Sequence, residues 1–334
     1  MNGTLSTALI GYGHWGPNIA RHIDKNKRMT LESICDNRPD RLAAAQAVYT
    51  DRVQFETDYR TVLQNPRIQA VAIAVETEKH DAVVKEALDA KKHVYIEKPF
   101  TSSVASAVAL ARQARELRLV IHVNHIMIFH PGIKKIKELL DSGELGELLY
   151  IEAMRMNLGR IRNDVSVLWD LGIHDLSVID YLVNGREPKD IYAVGDRKYS
   201  NTESITFLTL KFDDFIAHIR SSWISPVKER KLIIAGTRKM AVFDETKPSE
   251  NLVIHDTGIE VVSGDHPGQN NYRVAERLGG CCIAEFPIQD ALYNSIDHFA
   301  SMILDGKPSI SGPDQAIRLQ KILEKADMLM TCYR

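Results

Sequence analysis

Gly11-Tyr12-Gly13-His14-Trp15-Gly16 spaces three glycines as G-x-G-x-x-G directly after the apolar run Leu5 to Ile10 and at the head of a helical pattern. A strand that feeds a helix through this spacing is the context of a dinucleotide site. Gly11 allows the tight turn, Gly13 lets backbone approach a pyrophosphate, Gly16 lets helix pack on strand, and the helix N-terminus offers unpaired N–H groups. His14 and Trp15 occupy the variable positions of the same loop and are expected to face the cofactor. Asp36 ends the second β-rich run about 20 residues further on, where a carboxylate accepts both ribose hydroxyls. This favours NAD over NADP, although Arg38 or Arg41 can turn toward a 2′-phosphate; a plainer alternative is a helix cap formed by Asp36 or Asn37 ahead of Pro39.

Glu97-Lys98-Pro99 lies where the fifth β-rich run ends, and the carboxyl ends of parallel strands face the ligand crevice. Lys98 is therefore expected near the nicotinamide, with Pro99 terminating the strand. Further on, Asp170 and His174 stand four residues apart within a helical pattern from Leu168 to Val183. That spacing puts them on one face with Cβ atoms roughly 5–6 Å apart. A carboxylate so placed orients or charge-stabilises an imidazole suited to act as general base toward an alcohol, and Gly172 beside the pair lets a ligand approach the backbone. Arg155, Asn157, Arg160 and Arg162 precede this helix and can hold an anionic group such as a diphosphate; a solvated loop is the alternative. His122, His125 and His130 lack a carboxylate at ligand spacing, so no metal site is expected.

The elements that must position these groups follow from the remaining pattern. The chain has 334 residues, 44% hydrophobic and 26% charged, enough for a core and for about two domains. With 42 Lys+Arg against 44 Asp+Glu and no long run of one sign, nucleic acid is not an expected partner. No stretch of about 18 apolar residues is present, no signal-peptide pattern opens the chain, and Cys35, Cys281, Cys282 and Cys332 form no C-x-x-C pair, so a cytoplasmic protein with reduced thiols and no membrane partner is expected.

Six β-rich runs (Leu5 to Ile10, Leu31 to Cys35, Val53 to Phe55, Ala70 to Ala74, His93 to Ile96, Val120 to Val123) alternate with amphipathic helices, the pattern of a parallel sheet covered on both faces. Beyond Asn124, runs at Leu148 to Asn157, Ile191 to Val194, Ile205 to Phe212, Ile216 to Trp223, Lys231 to Ala235, Met240 to Phe243 and Leu252 to His255 gather without helices between most of them. They predict a separate, largely antiparallel sheet. Ser263 to Gly280 reads as loop, and helices at 288–304 and 314–330 close the chain. The expectation is an α/β chain: residues 1–123 a Rossmann NAD-binding domain, and 124–334 an α+β substrate and oligomerisation domain, with the helix 314–330 packing back on the first.

Taken in order, the motifs resemble the Gfo/Idh/MocA oxidoreductase family over essentially the whole chain. The resemblance rests on Gly11 to Gly16, His80 opening its helix, Glu97-Lys98-Pro99, His130-Pro131 through Gly143-Glu144-Leu145-Gly146, Asp170 with His174, Asp297-His298-Phe299, and Gly306-Lys307-Pro308. It implies a large open sheet whose exposed face builds homodimers or homotetramers. It also implies cofactor contacts from Val75, His80, Glu97 and Lys98, and catalytic roles for Lys98, Asp170 and His174. Gly11 to Asn18 and Trp169 to Ser177 look most like members from polysaccharide and nucleotide-sugar pathways, some of which oxidise the 3-hydroxyl of a UDP-linked amino sugar. The chain departs from the family pattern after the fourth strand, where Ala74-Val75-Glu76 replaces Ala-Thr-Pro.

The expected reaction is hydride transfer between NAD and a sugar secondary alcohol, with His174 taking the hydroxyl proton, Lys98 stabilising the alkoxide and Asp170 polarising the base. The rivals are a free-inositol or aldose dehydrogenase, and an NAD-binding sensor that has lost chemistry, for which Glu76 is the favourable feature.

Overall fold

The computed structural model describes residues 4–159, 161–247, 250–262 and 273–332. The chain divides into two compact units, Met1–His130 with Gln289–Lys321, and Pro131–Ile288 with Ile322–Arg334. The sequence pattern put the division at 123/124, with the helix 314–330 packing back on the first domain. The first unit here runs to His130 and takes in Gln289–Lys321, which hold the helix expected at 288–304 and the start of the last one.

In the first unit, β1 (Leu5–Ile10), β2 (Met29–Cys35), β3 (Gln54–Glu56), β4 (Ala70–Ile73), β5 (His93–Ile96) and β6 (Ile121–Val123) form one sheet in the order β3-β2-β1-β4-β5-β6. Every pairing is parallel. The order reverses between β1 and β4, so the loops leaving their carboxyl ends part there and open a crevice. Helices α1 (Gly16–Lys25), α2 (Pro39–Tyr49), α3 (Tyr59–Gln64), α4 (His80–Asp89) and α5 (Val104–Leu117) connect the strands. The uninterrupted apolar run of β4, buried at all four positions, fits a strand covered on both faces. Ile19 and Ile23 from α1 share one core with Leu292, Ile296 and Phe299, whereas Val84, Leu88 and Leu110 share the other with Ala316. Each large apolar side chain buried this way contributes about 1.5–3 kcal/mol. That gain holds residues from the far end of the chain, where periodicity alone cannot show which sheet a helix will cover.

The second unit opens with α6 (Pro131–Asp141), β7 (Leu148–Leu158) and α7 (Ile173–Leu182). The strands β8 (Asp190–Asp196), β9 (Ile205–Lys211), β10 (Ile216–Ser222), β11 (Ile224–Gly236), β12 (Met240–Asp244) and β13 (Leu252–His255) follow. Next come a hairpin, β14 (Gly258–Val262) with β15 (Arg273–Arg277), and the short β16 (Cys281–Ile283). Eight strands form a sheet in the order β16-β13-β12-β11-β7-β10-β9-β8, in which β7 and β10 pair in parallel and the other neighbours antiparallel. The β11 strand starts seven residues before the expected Lys231 because it continues through a register shift between Ile224 and Glu229, where Pro226 has no N–H to give. The stretch read as loop from Ser263 to Gly280 includes β15; residues 263–272 lie outside the described residues.

Ile151, Ala153, Leu208, Leu210, Ala217 and Ile219 are buried on the face of this sheet that α7 packs against. Tyr192, Val194 and Phe207 project from the other face and are exposed. Two further helices, α8 (Ala291–Leu304) and α9 (Pro313–Cys332), end the chain; α8 belongs to the first unit and α9 is divided between the two. The Asp290 carboxylate caps α8 by accepting from the Leu292 and Tyr293 N–H groups at 2.8 and 3.1 Å. Among the described residues no helix is long and apolar enough to cross a membrane.

Candidate functional site

At the crevice of the first unit, the glycine loop has the shape a pyrophosphate needs. Gly11 has φ +97°, and a Cβ there would sit 2.5 Å from the Ala74 carbonyl oxygen. A Cβ on Gly16 would meet the Gly11 carbonyl oxygen at 2.3 Å, so the start of α1 lies directly on the turn. A Cβ on Gly13 would meet the flexible Arg41 guanidinium, with Nη1 at 3.4 Å, and no backbone, leaving the backbone approachable. Trp15 caps α1 without a side-chain hydrogen bond and Pro17 occupies its first turn, so the N-terminal N–H groups are not spent on a capping side chain. His14 and Trp15 are both exposed on this loop. These residues fit a dinucleotide. The Gly16→Ala variant is expected to lose about 1–3 kcal/mol of stability and to bind NAD more weakly, read by thermal melting with and without NAD.

Asp36 is buried, and its two oxygens accept from the Tyr12 N–H at 2.7 Å and the Arg38 N–H at 2.9 Å. Arg41 Nη1 lies 3.4 Å away. Oδ2 also takes the Arg41 guanidinium, whereas Oδ1 retains a second acceptor site, so Asp36 both ties the glycine loop to the end of β2 and can receive a ribose hydroxyl.

The Glu97-Lys98-Pro99 segment leaves β5 with a cis Lys98–Pro99 peptide bond. Lys98 is half-buried at the strand end, whereas Glu97 is turned into the interior, where the Asn124 Nδ2 donates to its Oε1 at 2.7 Å. Burial pushes the Glu97 carboxyl up. His80 is likewise buried, with Nδ1 2.7 Å from the Pro99 carbonyl oxygen and Nε2 3.2 Å from that of Val75. Burial holds its pKa down, so the ring is neutral and its single N–H belongs to the shorter contact, toward Pro99. Both side chains brace the turn from the interior, His80 through the Pro99 carbonyl and Glu97 through Asn124. Glu76, the departure from the family pattern, is half exposed and pairs with Lys79 at 2.9 Å. Its charge is met locally.

In the second unit, the segment read as a regular helix from Leu168 starts with a π-helical turn, Leu168–Gly172, in which the Ile173 N–H reaches the Leu168 carbonyl five residues back. Such turns re-aim side chains and recur at functional sites. Asp170 stands in that turn and His174 in the first turn of α7, so the α-helical spacing assumed for them does not hold as drawn. The Trp223 Nε1 donates to Asp170 Oδ2 at 3.2 Å, and Arg162 Nη1 lies 3.6 Å from Oδ1. Trp223, just beyond β10, is a site residue that sequence spacing did not reveal, since nothing local marks a tryptophan that meets a carboxylate 53 positions away. His174 is half-buried and its carbonyl accepts from Ser177 Oγ at 2.7 Å. A Cβ on Gly172 would come within 2.7 Å of Leu168 Cδ1 and 2.9 Å of Ser221 Oγ. The glycine therefore serves close packing of the helix on β10 rather than ligand approach.

Arg155 is not available to a substrate. Its guanidinium is 5% exposed, holds both Asp175 oxygens through Nε and Nη2 at 2.9–3.1 Å, and reaches Glu245 through Nη1 at 3.0 Å. It was expected in a diphosphate site because its residue type suits phosphate. It points inward because β7 alternates faces and position 155 falls on the side under α7. Asn157, on that same face near the strand end, is half-buried, and Arg160 lies outside the described residues. Arg162 is bonded to Asp164 besides facing Asp170.

Comparison with known proteins agrees with both units. Residues 5–125 match the family described as oxidoreductase family, NAD-binding Rossmann fold, and residues 133–242 match the GFO/IDH/MocA C-terminal domain. The UDP-N-acetylglucosamine 3-dehydrogenase of Acidithiobacillus ferrooxidans is 29% identical over 308 residues, 91% of this chain and 90% of that protein. Its solved structure superposes with a TM-score of 0.81, covering 98% of each chain at 25% identity. The uncharacterized oxidoreductase YrbE of Bacillus subtilis is 27% identical over 75% of this chain and 76% of its own. Myo-inositol 2-dehydrogenase of Thermotoga maritima is 25% identical over 57% of this chain and 58% of its own. With a glycine-loop crevice in a 3-2-1-4-5-6 sheet and an open mixed sheet after it, this chain belongs to the Gfo/Idh/MocA family of oxidoreductases, its first unit being the NAD-binding Rossmann fold.

Proposed function

We propose that the chain is an NAD-dependent dehydrogenase that transfers hydride between the nicotinamide and a secondary alcohol or ketone of a sugar, with a nucleotide sugar, such as a UDP-linked amino sugar oxidised at C3, as its substrate. The observation that carries this reading is the likeness to a UDP-N-acetylglucosamine 3-dehydrogenase across nine-tenths of both chains, which takes in the Lys98 turn and the Asp170–His174 segment together. Bound at Gly11 to Gly16, NAD supplies the hydride acceptor. His174 removes the hydroxyl proton, the Lys98 ammonium stabilises the charge that grows on that oxygen, and Asp170, held by Trp223, keeps the imidazole basic. Substrate contacts are assigned to Lys98, Asn157, Arg160, Asp170 and His174. The test is to follow nicotinamide absorbance over a panel of UDP-hexosamines, UDP-hexoses and free sugars. Cofactor reduction with UDP-hexosamines alone supports the assignment.

A second reading, a free inositol or aldose dehydrogenase, is favoured by one observation: Arg155 is locked into a buried ion network, which removes a cation from the diphosphate site. Turnover of inositol without turnover of UDP-sugars decides for it.

Assembly as a homodimer or homotetramer through the second-unit sheet is part of the same proposal. Tyr192, Val194 and Phe207 form an exposed apolar patch across β8 and β9, with Val194 paired directly to Phe207. Light scattering is expected to give at least twice the 37.6 kDa chain mass, falling to one chain in a Val194→Asp/Phe207→Asp variant.

A further inference from the structure

Behind the Lys98 turn, five side chains of the first unit form a buried polar chain that the proposed chemistry does not use. Ser295 from α8 donates through Oγ to Asn124 Oδ1 at 3.0 Å, and Asn124 Nδ2 donates to Glu97 Oε1 at 2.7 Å. Two further groups meet Ser295 Oγ, His122 Nε2 at 2.9 Å and the Tyr95 hydroxyl at 3.2 Å. Ser295 and His122 are 0% exposed, Tyr95 1%, Asn124 2% and Glu97 8%.

The direction of this chain is set by its last member. A carboxylate only accepts, so the Asn124 amide must offer it N–H and present oxygen to Ser295. The single Ser295 proton then goes to Asn124, and its oxygen accepts from His122 Nε2–H and the Tyr95 hydroxyl. Each of the four contacts then has one donor and one acceptor. The His122 Nδ1 atom has no hydrogen-bond partner.

A protonated Glu97 keeps an oxygen that accepts from Asn124, but the charge-assisted bond to a carboxylate is the stronger of the two. Ser295, by donating to Asn124 Oδ1, holds the amide with its N–H toward Glu97, so the network favours the carboxylate against the push of burial.

The register shows what that carboxylate serves. Ile96 pairs with Val123, which sets the next residues of the two strands, Glu97-Lys98 and Asn124-His125, side by side at the carboxyl edge. His125 is buried with no partner for either ring nitrogen, and burial together with the Lys98 charge keeps it neutral. Glu97 and His125 both interact electrostatically with Lys98; Tyr95 interacts with Glu97, and His125 and His298 with His122.

We propose that Ser295, Asn124 and Glu97 are positioning residues that keep Lys98 charged, by holding a buried carboxylate ionised at the adjacent position of the strand end. This rests on the assignment of Lys98 to the reaction made above. It is tested without turnover, by reductive methylation of the full-length protein with formaldehyde and cyanoborohydride over a pH series. The Lys98 peptide is followed by mass spectrometry, with surface Lys228 as internal control.

The titration midpoint of Lys98 is expected to fall by about one pH unit in Glu97→Gln. It should fall less, but in the same direction, in Ser295→Ala and Asn124→Ala, and recover in Ser295→Thr, while Lys228 does not move. Melting curves identify the folded variants, and the isosteric Glu97→Gln decides should both truncations fail to fold. An unchanged Lys98 midpoint in the folded variants overturns the inference. A shifted midpoint together with wild-type kcat in Lys98→Ala would instead leave the inference standing and remove Lys98 from the reaction.

Discussion

The His174→Ala enzyme is expected to bind NAD as tightly as the wild type and to lose about 10²–10⁴-fold in kcat, the range a positioned general base supplies. The two halves of that expectation come from different parts of the chain. The residues assigned to NAD, the glycine loop and Asp36, belong to the first unit, whereas His174 stands at the head of α7 in the second. Truncating an imidazole that is only half-buried removes little packing, so the fold and the cofactor site are left intact. Asp170→Asn should cost less, because the Trp223 indole N–H and the neighbouring turn still hold the side chain in place while its charge is lost. The measurements are NAD titration by fluorescence and steady-state kinetics on the sugar that the panel identifies. Near-wild-type turnover in His174→Ala would rule out His174 as the base, whatever the substrate.

Arg155→Ala carries the other large effect, and it is on stability. Removing the guanidinium leaves Asp175 buried without its bidentate partner and leaves Glu245 with Arg230 alone. Breaking a buried ion pair by deleting one partner costs about 3–5 kcal/mol, because the remaining charge has neither water nor counter-charge. In a protein of this size the melting temperature is then expected to drop by on the order of 10 °C. The ratio of KM for a UDP-sugar to KM for the corresponding free sugar should not change. A stable Arg155→Ala variant whose KM rises only for the nucleotide sugar would return Arg155 to the substrate site and remove it from the core.

Arg155 also shows where sequence reading stops. The G-x-G-x-x-G loop, Asp36 at its offset, Lys98 at a strand end and the alternation of short strands with helices were all legible in the sequence, because each depends on neighbours within one turn or one βα unit. Backbone stereochemistry fixes what a glycine at φ +97° can do, and the period of apolar residues fixes which face is buried. Where a side chain ends up once two distant segments meet is not written locally. Arg155 and Asp175 are 20 residues apart, Asp170 and Trp223 are 53 apart, and Asn124 and Ser295 are 171 apart. Each of those pairs was decided by burial: a polar group forced inside by the packing of its own element had to find a partner there, and only the assembled fold determines which partner is within reach.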